Sequence, residues 1–180
     1  MKIKEQYKKE VVPKMKEDFG YKNTMAVPRM EKATLNIGLG PGIKEQGYKE
    51  AAEQTLMKIT GQKPVFTKAR KSIASFKIRE GMEIGAKVTL RGDRMYDFVE
   101  KLVNIALPRV RDFRGINDST VDKNGNISIG LTESQAFPEV KPEEIDIILP
   151  LEITITTTAK TREEGLALFK NLGFPFKNNK

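Results

Sequence analysis

Apolar positions recur along this chain with two periods, one near four residues and one of two, and the switches between them predict its elements. Ile3, Tyr7, Val11 and Met15 fall every fourth residue, so they share one helical stripe while Lys2, Lys4, Lys8 and Lys9 stay solvated. Pro13 should kink that helix or mark a new start, because it has no amide hydrogen and its ring crowds the preceding turn. Leu35, Ile37 and Leu39 then alternate with Thr34, Asn36 and Gly38, the pattern of a half-buried strand. Gly40-Pro41-Gly42 breaks the chain, after which Tyr48, Ala52, Leu56 and Ile59 predict a second helix that ends at Gly61.

Farther on, Pro64 to Lys68 and Ile73 to Ile78 predict short strands joined by a basic turn, and Glu80 to Glu83 a loop. Ala86 to Arg91 alternates again, with Lys87, Thr89 and Arg91 on the polar side. A third helix is expected from about Arg94, burying Met95, Phe98, Leu102, Ile105 and Ala106 and closed by Pro108. Arg109 to Gly115 is a basic loop, and Asn124-Gly125 is a hairpin turn leading into the strand Ile127 to Leu131. Leu151 to Thr156 predicts a late strand and Glu163 to Leu172 the last helix. Strands and helices do not alternate regularly, which favours an α+β fold: a mainly antiparallel sheet with helices packed on one face and the other face free to bind. No repeat, low-complexity tract or long linker divides the 180 residues, so residues 1–180 are expected to form one domain.

Charge narrows what the free face could bind. Lys and Arg number 32 against 24 Asp and Glu, a net +8, which favours polyanionic partners, nucleic acid ahead of an acidic membrane. The excess is concentrated: Gln62 to Arg94 holds nine cations and three acids. No apolar run approaches the ~20 residues of a membrane span, and Met1-Lys2-Ile3-Lys4-Glu5 opens a charged segment, so a cytosolic protein is expected.

With no cysteine and no histidine the chain has no thiolate nucleophile, no disulfide and no imidazole base, which weighs against an enzyme. Carboxylates with bound Mg²⁺ remain as a chemical alternative. Asp93 and Asp97, at helical i,i+4 spacing, could hold such an ion; the sparse ligand clustering favours instead Asp93 capping the start of the third helix, with neither metal nor cofactor. Gly38-Leu39-Gly40-Pro41-Gly42 sits where a dinucleotide fingerprint would, but its third glycine comes too early, and no P-loop Gly-Lys-Ser/Thr occurs.

On the polar sides of the strands, Asn36, Thr67 and Thr89 lie among cations. Arg and Lys neutralise phosphates while short amides and hydroxyls reach 2′-hydroxyls and base edges, so the pattern suits RNA; the alternative is a solvated sheet face. Lys68-Ala69-Arg70-Lys71-Ser72 is either a soluble turn or a phosphate contact. Phe76 beside Lys77, with Gly81 and Gly85, suggests a protruding, flexible loop over about residues 73–85 that carries Lys77 and Arg79, unless Phe76 belongs to the core.

Several stretches together resemble the bacterial ribosomal protein L5 family over nearly the whole chain, from Tyr7 to Phe176. They are Leu35-Asn36-Ile37-Gly38-Leu39-Gly40, Thr60 to Pro64 with Thr67 to Ser72, Phe76 to Gly81, Gly85 to Gly92, and Leu107 to Gly115. Asp146, Ile153 to Lys160 and Gly173-Phe174-Pro175-Phe176 extend the likeness. The resemblance implies a non-enzymatic protein of the large subunit's central protuberance that helps anchor 5S ribosomal RNA beside 23S ribosomal RNA and neighbouring proteins. It puts Asn36, Gln62, Lys63, Thr67, Lys68, Thr89 and Arg91 at the 5S RNA, and Arg70 and Lys71 join them from the basic turn. It puts the loop bearing Ser75, Lys77, Arg79 and Met82 near transfer RNA in the peptidyl site, and Arg109, Arg111 and Arg114 at a bridge to a small-subunit head protein. The rival expectations are a Mg²⁺-dependent phosphate-handling or RNA-modifying enzyme and a free regulator of messenger RNA.

Overall fold

The computed structural model describes residues 2–40, 47–141 and 147–177. Pro41 and Gly42 of the expected break, and residues 142–146 of the acidic segment with Asp146 among them, lie outside the described residues. Among the described residues the architecture is α+β, with four helices and an antiparallel five-stranded sheet, as the element pattern predicts. Its strands are β1 (Met30–Gly38), β2 (Val65–Lys68), β3 (Glu83–Leu90), β4 (Ile127–Leu131) and β5 (Leu151–Thr157), in the order β2-β3-β1-β5-β4. The chain divides into two compact units, one of Met1–Ala33, Leu90–Ile129 and Thr154–Lys180, the other of Thr34–Thr89 and Gly130–Ile153.

In the first unit the opening helix comprises Ile3–Gln6, a π-helical turn Tyr7–Val11, and Val12–Phe19. Residues spaced by four drift about 40° per step around a regular α-helix. The wider π turn, in which the Val12 amide donates to the Tyr7 carbonyl, takes up that drift. Ile3, Val11 and Met15 are therefore all buried, and half-buried Tyr7 donates its hydroxyl to the Pro28 carbonyl at 3.0 Å. Pro13 stands near the start of the next α-helical segment, where the ladder has already been opened.

The third helix repeats this device: Gly92–Lys101, a π turn Leu102–Ala106, then Leu107–Arg109, with Pro108 again two residues past the π turn. Two expectations change as a result. The helix runs through Pro108 to Arg109, and Ile105 is 42% exposed, because the added residue rotates the stripe onto Val99, Leu102, Val103 and Ala106. Between this helix and β4, Asp122 closes the hairpin turn by accepting the Asn124 and Asn126 amides at 2.9 and 2.8 Å, and Val121 bridges Ile127.

In the second unit the helix Tyr48–Thr60 buries Tyr48, Ala52, Leu56 and Ile59. Gly61, at φ 65°, closes it by donating to the Met57 carbonyl at 2.8 Å. Ile73 to Ile78 is not a strand. Ile73 and Ile78 bridge one another, and the residues between them close through a 3₁₀ turn Ala74–Phe76, so too little chain remains for a second extended run. Phe76 lies 68% exposed, outside the core.

Candidate RNA interface

Alternation along β1 and β3 separates two chemistries. Leu35, Ile37, Ala86 and Val88 are buried, whereas Asn36 is half-buried and Lys87 and Thr89 are exposed on the opposite side. Antiparallel pairing sets Val65 against Lys87 and Thr67 against Gly85, which brings β2 onto the same surface. A Cβ placed on Gly85 would lie 2.7 Å from Thr67 Oγ1 and 3.5 Å from Asn36 Oδ1. The bare glycine thus lets an amide and a hydroxyl converge from the strands on either side. Donors and acceptors held this close to backbone, with Lys87 beside them, match the groups that read 2′-hydroxyls and phosphates.

The other predicted 5S-contacting residues of this unit lie before β2, at its end and after it in the chain, and are exposed or half-buried. The β2–β3 register shifts between Thr67 and Lys68, where the pairing on β3 passes from Gly85 to Glu83 and leaves Ile84 as the extra residue, and Lys68 is exposed at the end of β2. Arg70 and Lys71 are exposed just beyond it. Gln62 follows the helix cap, its amide donating to Thr60 Oγ1 at 3.2 Å, and the exposed Lys63 ammonium lies 3.7 Å from Glu53. Arg91 falls in the other unit, where its guanidinium is 3.7 Å from Glu31 on β1.

Gly85 and Lys87 belong to this surface and are absent from the predicted site. Period two along β3 already carried the signal for Lys87. For Gly85 the meaning comes from residues 36 and 67, distant in sequence. Lys49, by contrast, is occupied: its ammonium pairs with Glu83 and sits 4.5 Å from the Phe66 ring centroid.

The loop after β2 is closed by internal hydrogen bonds. The Ala69 amide donates to the Met82 carbonyl at 2.8 Å, Gly81 donates back to Ala69 at 3.0 Å, and Ile73 and Ile78 exchange bonds at 2.9 and 3.1 Å. Ser72 Oγ accepts the Glu80 amide at 2.9 Å, so this hydroxyl is used inside the loop. Met82 is half-buried, its sulfur accepting the Arg79 amide at 3.1 Å, while Ser75, Lys77 and Arg79 stay exposed.

Arg109, Arg111 and Arg114 are exposed around a turn in the first unit. That turn is anchored by Ile116, which donates to Pro175 at 2.8 Å and accepts from Lys177 at 2.9 Å. Asp93 does not cap the third helix with its side chain; it pairs with Lys4, whose proximity holds the carboxyl below its ordinary range. No group of three or more metal-ligating side chains occurs among the described residues, and no helix there is long and apolar enough to cross a membrane.

Comparison with known proteins gives a consistent result. Residues 23–79 match the family model for ribosomal protein L5, and residues 83–176 match the model for the C-terminus of the same ribosomal family. The large ribosomal subunit protein uL5 of Desulforapulum autotrophicum is 54% identical over 176 residues, 98% of each chain. Its counterpart in Syntrophomonas wolfei is 53% identical, covering 98% of this chain and 99% of the relative. That of Dictyoglomus turgidum is 55% identical over 97% of this chain and 98% of the relative. The chain belongs to the ribosomal protein L5 family, whose members are structural rather than enzymatic.

Proposed function

We propose that this protein is a structural constituent of the large ribosomal subunit and holds 5S ribosomal RNA by shape-matched docking on the open side of β1, β2 and β3. The observation that carries the reading is the convergence of Asn36 and Thr67 over Gly85, with Lys87 and Thr89 on the same strand face. Lys68, Arg70 and Lys71 supply phosphate contacts at its margin, and Gln62, Lys63 and Arg91 complete the set. The protein then sits in the cytoplasmic ribosome's central protuberance against 23S ribosomal RNA and neighbouring proteins. Its loop with Ser75, Lys77, Arg79 and Met82 faces transfer RNA in the peptidyl site. Arg109, Arg111 and Arg114 meet a protein of the small-subunit head. No bond is made or broken.

Titrating 5S RNA into variants at one salt concentration tests the docking surface. Asn36→Ala and Thr89→Ala each leave an RNA polar group without its partner, at about 1–3 kcal/mol, or roughly 5- to 150-fold in affinity. Their melting should scarcely change, since neither side chain is in the core. Leu35→Ala, at a fully buried position, should instead destabilise the fold by about 2–5 kcal/mol through the cavity it opens. Unchanged affinity in both polar variants would remove this face from the interface.

The arginine turn is separable. Changing Arg109, Arg111 and Arg114 together to Ala should leave 5S RNA binding within about threefold, because surface charges that make no contact cost little. Subunit joining, followed by sedimentation, should weaken. A large loss of 5S affinity would reassign the turn to that RNA.

A further inference from the structure

The geometry points to Phe76 as a stacking platform for an unpaired RNA base, a role that rests on the proposed reading of this loop as facing RNA. Phe76 is 68% exposed, and leaving a phenylalanine in water forgoes the stabilisation that burial would bring. The ring nevertheless stands on a hydrogen-bonded turn. The 3₁₀ turn Ala74–Phe76 is closed by the Lys77 amide on the Ala74 carbonyl at 3.0 Å, and Lys77 adopts the left-handed conformation at φ 55°. Behind it stand the Ile73–Ile78 bridge and the Ser72–Glu80 bond. A non-glycine residue held in that backbone region marks a tip whose shape is specified by the loop.

The surroundings decide what the ring would meet. Arg70, Lys71, Lys77 and Arg79 are exposed in the same loop, and Glu80 is the one acid between residues 70 and 82. The other exposed large apolar side chain of the loop is Ile73, at 45%. Two apolar side chains make too small a patch for a protein interface core, and the cations favour a polyanion. Phosphates satisfy the cations, and a base's π-face covers the ring, but only where that base is not already stacked between neighbours in a duplex. The occupant is therefore an RNA nucleotide in an open loop, whether from transfer RNA or from ribosomal RNA.

The chain contains no tryptophan, so Phe76→Trp in the full-length protein places the molecule's one indole at this tip. Four titrants are compared at equal phosphate concentration: a stem closed by an open loop, a blunt duplex, a deacylated transfer RNA and 5S RNA. Indole emission should fall by about twofold with the open-loop stem and stay nearly unchanged with the duplex, and whichever natural RNA also quenches identifies the source. Phe76→Leu, which keeps an apolar side chain but removes the π-face, should weaken binding of the open-loop stem by roughly 5- to 150-fold. Equal quenching by stem and duplex, no quenching by either, or full affinity in Phe76→Leu would each overturn the stacking role. Failure of the unaltered protein to bind 5S RNA in a gel shift would instead overturn the 5S-docking reading, since the indole reports on residue 76 alone.

Discussion

Replacing Gly165 by alanine is expected to destabilise the protein by about 3 kcal/mol, although helix propensity alone predicts a gain of roughly 1 kcal/mol at such a position. Gly165 lies inside the last helix, Arg162–Asn171, where alanine normally restricts the unfolded chain and stabilises. Here a Cβ would stand 2.3 Å from Gly125 Cα, 2.5 Å from its carbonyl oxygen and 2.7 Å from its carbonyl carbon. Those are backbone atoms, so no rotamer change relieves the overlap. Nor can the turn retreat. Gly125, at φ +74°, donates to the Asp122 carbonyl at 3.1 Å and accepts the hydroxyl of buried Thr157 at 2.8 Å. Helix and turn must therefore move apart, exposing Leu168 and Phe169 behind them or straining the turn. Urea unfolding of the purified chain gives the number. Gly130→Ala, where nothing lies within 4 Å of the added carbon, should change stability by no more than about 0.5 kcal/mol. A Gly165→Ala protein as stable as the parent would mean that this close approach carries no weight.

Features set by neighbouring residues can be read from the sequence, whereas features set by distant ones cannot. Alternation at 35, 37 and 39 and at 86, 88 and 90 is a local signal, and it locates β1, β3 and their buried sides. Gly61 as a helix stop and Asn124-Gly125 as a turn are local for the same reason. The period-four stripe at 3, 7, 11 and 15 is visible as a helix, whereas the π turn that holds it on one face is seen only in the structure. Ile105 escapes the buried stripe because the same device acts before Pro108. At the candidate interface, Asn36, Thr67 and Thr89 are legible as polar positions on strands. That Asn36 and Thr67 both approach Gly85 depends on the strand order β2-β3-β1, which no local pattern encodes. The partners of the cations are equally hidden: Lys63 near Glu53 and Arg91 near Glu31 are tertiary facts.

Those partners set the size of the largest expected effect on binding, a steep loss of 5S RNA affinity with salt. Lys68, Arg70, Lys71 and Lys87 are exposed and have no ion-pair partner among the described residues, whereas Lys63 and Arg91 already face carboxylates. Each cation that neutralises a phosphate releases counterions, so with about four such contacts log affinity should fall against log salt with a slope of roughly −3. Between about 50 and 200 mM salt that is on the order of a hundredfold weaker binding. The individual contributions can be separated. Lys87→Ala should make the slope shallower by about 0.7–0.9, because its charge stands beside the Asn36–Thr67 group. Lys49→Ala removes a charge of the same sign from the same unit but should leave the slope unchanged, since that ammonium is held between Glu83 and the Phe66 ring. Filter binding over a salt series measures all three slopes. An affinity nearly independent of salt would replace the basic-face description with an apolar or stacking interface, and equal shifts for Lys49→Ala and Lys87→Ala would mean that net charge, not the strand face, governs binding.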